Sequence, residues 1–156
     1  MDAYISKDDY KYMMRTERLD QILEASDEDE EALLNDVENE ALAIIRDHLG
    51  KRYNMDIEYG KAGTARNKVV LRWAKVLVIY FIYERVPDEM VPERVVKNYD
   101  DTLQLLIKIE EGKKDVDGLT AKTVTDDNGN STPYTTRRWG SQKKRTNDGG
   151  SPGSLN

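Results

Sequence analysis

Residues 69–90, VVLRWAKVLVIYFIYERVPDEM, carry apolar side chains on every side of a helix. Val69, Trp73, Val76, Tyr80 and Tyr83 form one stripe at steps of three and four. Val70, Ala74, Leu77 and Phe81 form a second, and Leu71, Val78 and Ile82 a third. Three stripes surround a helix, so this one needs cover on all sides, from the rest of its own chain or from a neighbouring copy. Trp73, Tyr80 and Tyr83 are therefore candidate core or subunit-interface residues. The helix is expected over about residues 65–86, stopped by Pro87, which lacks an amide proton and clashes with the preceding turn. Its most apolar part, residues 76–83, lies between Lys75 and Glu84 and is less than half of the roughly 20 residues a membrane span needs. No membrane segment is expected.

Downstream, Pro92 suits the first turn of another helix, which reaches about Glu111 with Val96, Tyr99, Leu103 and Leu106 facing inward and Gly112 as its stop. The short connection makes the two an antiparallel hairpin. Upstream, Ser26 precedes the acidic run 27–31 (DEDEE), a capping side chain followed by carboxylates at the positive end of a helix dipole. The long helix it starts carries Leu34, Val37, Ala41, Ile44 and His48 on one stripe, widened by Leu33, Ile45 and Leu49, and Gly50 ends it. Residues 54–64, with Gly60 and Gly63, read as a loop. Before all this, Ser6 and Asp9 have capping-box spacing at the head of a short Tyr/Met-rich helix, and residues 17–24 follow with Leu19, Ile22 and Leu23 on one side. The expected fold is all-α: a small bundle of about four to five helices over residues 1–112, with a long, mostly extended polar and basic tail over 113–156. Within the tail, residues 119–124 (LTAKTV) alternate weakly and suit pairing with a partner's strand edge.

A chain of 156 residues with 38% hydrophobic side chains supports one modest core. No cysteine is present, so neither disulfides nor thiolate metal sites are available. The N-terminus has acidic residues and no apolar run, unlike a secretory signal, and synthesis in the cytoplasm is the default. The net charge of −6 is uneven: −10 over residues 1–60, +1 over 61–112 and +3 over 113–156. An acidic front and a basic tail suit head-to-tail contact between copies, or equally two solvated ends.

No motif carries catalysis. Residues 126–130 (DDNGN) open like a calcium loop, but Arg137 or Arg138 stands where its closing glutamate belongs, so a surface turn is expected. Consecutive carboxylates at 27–31 point in different directions and serve the helix dipole rather than a metal. His48, the single histidine, sits on an apolar stripe without a nucleophile or second ligand and reads as a packed or interface residue. Phosphate-binding glycine loops, nucleophile elbows and zinc signatures do not occur. No enzyme activity, cofactor or metal is expected. One tail feature stands above background: Arg137, Arg138 and Trp139, followed by Lys143, Lys144 and Arg145. Such a cluster docks on an acidic protein groove with Trp139 as anchor, binds phosphates with Trp139 stacking, or is a solvated basic tail.

The order of elements and three phrases, IIRDHLGKRYNM (44–55), VVLRWAKVLVIYFIYERVPDEM (69–90) and VVKNYDDTLQLLIKIEEGK (95–113), resemble the small all-helical head–tail adaptor (connector) proteins of tailed bacteriophages, including the Mu-like head-completion group. The resemblance spans about residues 3–113. It implies a structural virion protein forming a ring, commonly of twelve identical subunits, under the portal protein at the capsid's portal vertex. Such a ring connects capsid to tail or neck proteins and extends the channel through which packaged DNA passes without sequence-specific binding. It also implies that a terminal segment grips the portal or the neighbouring ring, a role for which Arg137, Arg138, Trp139, Lys143, Lys144 and Arg145 are the candidates. The competing expectations are a helical nucleic-acid-binding module and an assembly chaperone, each using the basic tail.

Overall fold

The computed structural model describes residues 4–26, 29–86 and 90–134. It is mostly helical: a 3-10 turn at Lys7–Tyr12, then α1 (Thr16–Ala25), α2 (Glu30–Leu49), α3 (Met55–Tyr59), a second 3-10 turn at Gly63–Ala65, α4 (Lys68–Arg85) and α5 (Glu93–Glu110). A small antiparallel hairpin follows, β1 (Thr123–Thr125) with β2 (Ser131–Pro133), Val124 facing Thr132. The all-α bundle expected from periodicity is what forms.

α4 is the axis of the bundle. It packs most extensively on α2 and next on α5, while α1 lies against both α2 and α4. Ten of its residues are buried, drawn from all three stripes. Arg85 pairs with Asp36 at 2.6 Å, so α4 runs antiparallel to α2. Tyr80 stacks on Tyr99 with centroids 3.8 Å apart and planes 13° from parallel, which joins α4 to α5 midway. The requirement that α4 be covered on all sides is met largely within one chain: Trp73 and Tyr83 are buried and Tyr80 is half-buried, while Val69 at the start of the same stripe is exposed. Among the described residues no helix is long and apolar enough to cross a membrane.

Several ends differ from expectation for local reasons. α2 is capped by Asp29, whose carboxylate accepts from the Ala32 amide at 2.9 Å. Ser26 instead closes α1, its hydroxyl donating to the Leu23 carbonyl at 2.6 Å. α4 starts at Lys68 rather than 65 because the Asn67 side chain accepts from the amides of Val69 and Val70. Pro87, its expected stop, lies outside the described residues; Val86 is already extended. The loop expected at 54–64 holds the five-residue helix α3, too short to show a period, held by the Asn54 cap and by Tyr59 donating to the Leu42 carbonyl at 2.7 Å.

The inward stripe of α5 is Val95, Thr102, Leu106 and Ile109, with Tyr99 and Leu103 half-buried beside it, one position round from the expected set. Likewise α2 buries Leu33, Val37, Ala41, Ile45 and Leu49 and leaves Leu34, Ile44 and His48 at the flank.

Gly112 ends α5 as expected. Its φ of 75° is left-handed, and the amides of Gly112 and Lys113 return to the carbonyls of Ile109 and Lys108, the Schellman arrangement. Beyond it the chain stays on the bundle. Val116 is buried, its amide donating to the Tyr53 hydroxyl at 2.9 Å. Residues 119–124 pair within their own chain: Ala121 bridges Tyr53, the Asn54 amide donates to the Thr120 carbonyl, and the Lys122 amide donates to the Arg52 carbonyl. The 126–130 turn is closed by Asp126, whose carboxylate accepts from the amides of Asn128 and Asn130, with Gly129 at φ 81°.

Candidate interaction surfaces

Two sets of buried polar contacts tie the terminal segments to the bundle. At the N-terminal end the Glu58 carboxylate, 1% exposed, accepts from the Tyr4 hydroxyl at 2.8 Å, from Lys61 Nζ at 2.6 Å and from the Asn67 amide. Asp9 accepts from the amide and hydroxyl of Ser6, as the capping-box spacing anticipates, and takes both terminal nitrogens of Arg66 at 2.7 and 3.1 Å. Arg66 also donates to the carbonyls of Tyr4 and Gly63. A third anchor is the Tyr10 hydroxyl, which donates to the buried Glu38 carboxylate at 2.7 Å.

Two carboxylates that hold the N-terminal arm (residues 4–14), Asp9 within it and Glu38 of α2, respond to pH in opposite senses. Burial pushes Glu38 up to about 7, reinforced by the charge of Asp9 and opposed by the Tyr10 hydrogen bond. Burial also acts to raise Asp9, but the hydrogen bonds from Arg66 and Ser6 outweigh it and bring Asp9 down to about 2. The folded state therefore holds a proton on Glu38 that the unfolded chain releases near pH 4.5, and stability from this site falls as pH rises from about 4.5 to about 7. The contribution of Asp9 is full above about pH 4 and is lost as pH falls through about 2. The joint contribution of these two sites is expected to peak near pH 4–5. Glu38→Gln should remove the upper slope, stabilising the protein by on the order of 2 kcal/mol at pH 8 and by little at pH 5. Urea melts at the two pH values check this; equal effects at both would refute the assignment.

At the other end Arg52, 8% exposed, donates through Nη1 to the carbonyls of Ile109 and Lys114, both at 2.9 Å, pairs with Asp115 through Nη2, and lies over the Tyr53 ring. Beside it Glu110 joins α5 to the end of α2. One carboxylate oxygen accepts from His48 Nδ1 and the other from Lys51 Nζ, each at 2.7 Å. His48 is thus a partly buried packing residue held by an acid 62 positions away.

What is left facing outward is charged and divided. On one side of the arm a hollow of about 740 Å³ is lined by Ser6, Lys7, Asp29, Glu31 and Glu38 around Ile5 and Leu34. Farther along the arm Tyr12 and Met13 border a hollow of about 390 Å³ with Arg72, Lys75, Arg94 and Asn98. Tyr12 and Met90 are the most exposed large apolar residues among those described.

A helical bundle with clamped ends and outward-facing charge is a scaffold for contacts, and the family model for bacteriophage Mu Gp36 matches residues 4–133. The chain belongs to the bacteriophage Mu Gp36 family. Membership makes it a phage structural-type protein, and the match continues past the 3–113 span of the sequence resemblance to the end of β2. No curated protein and no solved structure matches the chain. Of the candidate residues, Trp73, Tyr80, Tyr83 and His48 lie within the Gp36 match. Arg137, Arg138, Trp139, Lys143, Lys144 and Arg145 lie beyond both the match and the described residues. Sequence reasoning missed Glu38, Glu58, Arg52 and Arg66, each an ordinary charged residue in a polar stretch. It also missed the convergence of Arg72 and Arg94, which folding brings to one rim.

Proposed function

We propose that this protein is a non-enzymatic part of the phage particle, a ring of identical subunits beneath the portal that connects capsid to tail and extends the DNA channel. The observation that carries this reading is the Gp36 family match across the whole described fold. The clamped ends fit the role, because a subunit that transmits load between capsid and tail needs terminal segments that do not peel away. In this reading the cluster Arg137, Arg138, Trp139, Lys143, Lys144 and Arg145 grips the portal or a neighbouring ring. Many such contacts around a ring act at high effective concentration, so a modest affinity per site gives a durable collar.

The test is co-expression with the portal protein of the same phage, followed by pull-down and negative-stain imaging, comparing the full chain with one ending at Tyr134. Truncating there, rather than after Gly112, preserves Val116 and the strand pairing that cover Tyr53. Rings on the portal for the full chain and none for the shortened one are expected. Absence of association in both forms would defeat the ring reading. Binding of the full chain to duplex DNA that falls steeply with salt would favour the nucleic-acid alternative.

A further inference from the structure

The arm, α4 and α5 enclose a groove whose parts share lining residues. Its floor is largely apolar, made by Met13, Trp73, Val76, Ile79, Val95 and Leu105, with Asn98 and Thr102 among them. Its rim is cationic: Arg72, Lys75 and Arg94. Among the described residues neither Arg72 nor Arg94 has a hydrogen-bond or ion-pair partner, while Lys75 Nζ donates to the Asp9 carbonyl at 3.0 Å. The acid in the lining, Asp101, is already paired with Lys97 at 3.4 Å. A partner for this groove must therefore be anionic at its edge and apolar at its centre.

The same chain presents such a surface. The first turn of α2 carries Asp29, Glu30 and Glu31, with Ala32 exposed and Leu34 half-buried behind them. Glu31 has no ion pair among the described residues, and the nearest cation to Glu30, Lys7, is 3.9 Å away and closer to Asp20. We propose that the cationic groove between α4 and α5 receives the acidic start of α2 from a second copy of this chain. The two surfaces share no residue, so occupation of one does not consume the other. Such a head-to-tail contact closes a ring when its rotation closes. The inference rests on the ring reading above and assigns that ring its subunit contact. Bare phosphate would satisfy the rim but leave the floor wet, and the basic C-terminal cluster has the wrong sign.

The experiment is a charge swap in the full chain, with Arg72→Glu and Arg94→Glu in one variant, Glu30→Lys and Glu31→Lys in the other. Sedimentation and negative-stain imaging should show the unaltered chain self-associating and each variant weakened at least about tenfold. An equimolar mixture should regain assembly, because each variant's altered surface then meets its complement. That recovery also shows that both variants are folded. If both variants assemble like the unaltered chain, the groove is not the subunit contact and the ring reading stands without it. Failure of the unaltered chain to assemble, alone or on the portal, defeats both. Loss of random-sequence duplex DNA binding in the groove variant, with self-association unchanged, would assign the groove to phosphate and overturn the proposal.

Discussion

Glu58→Ala is expected to destabilise the protein by about 3 kcal/mol, a drop in Tm of roughly 10 °C for a chain of this size. The carboxylate is 1% exposed and accepts three donors: the Tyr4 hydroxyl, the Asn67 amide and Lys61. Lys61 can turn to water, but the Tyr4 hydroxyl and the Asn67 amide would be left inside without acceptors, at roughly 1–3 kcal/mol each before relaxation. The loss should be felt first in the arm. Tyr4 would release, the Arg66–Asp9 pair would loosen, and hydrogen-exchange protection at residues 4–14 should fall well before that of α4. Glu58→Gln keeps an acceptor for Tyr4 and should cost about half as much. Thermal melts with exchange mass spectrometry decide it. An unchanged Tm, or an equal loss of protection over arm and α4, would show that Glu58 does not hold the arm.

Arg52→Ala should cost a similar amount, about 3 kcal/mol, through the opposite end of the chain. Its guanidinium satisfies the last turn of α5 at the Ile109 carbonyl and, at Lys114, the segment that follows it. Alanine leaves the Ile109 carbonyl with the Gly112 amide alone, strips the Lys114 carbonyl of its Arg52 donor, frees Asp115 and uncovers the Tyr53 ring. Lysine keeps the charge but cannot span two carbonyls and a carboxylate with one planar fork, so Arg52→Lys should recover less than half of the loss. The distinguishing readout is limited proteolysis: cleavage near residues 113–122 should accelerate in the variant while the bundle survives. Equal resistance of that segment in both forms would refute the role given to Arg52.

Much of the bundle is legible from local pattern. The three stripes of α4 demand burial, Gly112 marks the end of α5, and the Ser6–Asp9 spacing marks the arm. Where pattern misled, a competing local contact explains it. Ser26 and Asp29 both suit a cap, and which one caps α2 depends on where α1 ends. α3 is too short for periodicity to register. The buried face of α2 lies within the widened stripe, with Glu38 added by a hydrogen bond that no pattern announces, while α5 buries Val95 and Thr102 where pattern pointed to Val96 and Leu103.

The candidate surfaces divide in the same way. Charge blocks and the basic cluster at 137–145 are visible in the chain as written. The cationic groove is not, because Arg72, Lys75 and Arg94 are scattered over two helices and converge only when α4 packs against α5.

What the sequence by itself determined is the helical class, the central place of α4 and the acidic-to-basic polarity, since hydrophobic period and charge run are properties of neighbours along the chain. Tertiary structure alone decided that Glu58 would reach Tyr4 across 54 positions, Arg52 would close over Lys114 across 62, and two separated arginines would share a rim. Those pairings depend on which buried polar groups meet, and burial leaves each of them only the partners that packing supplies.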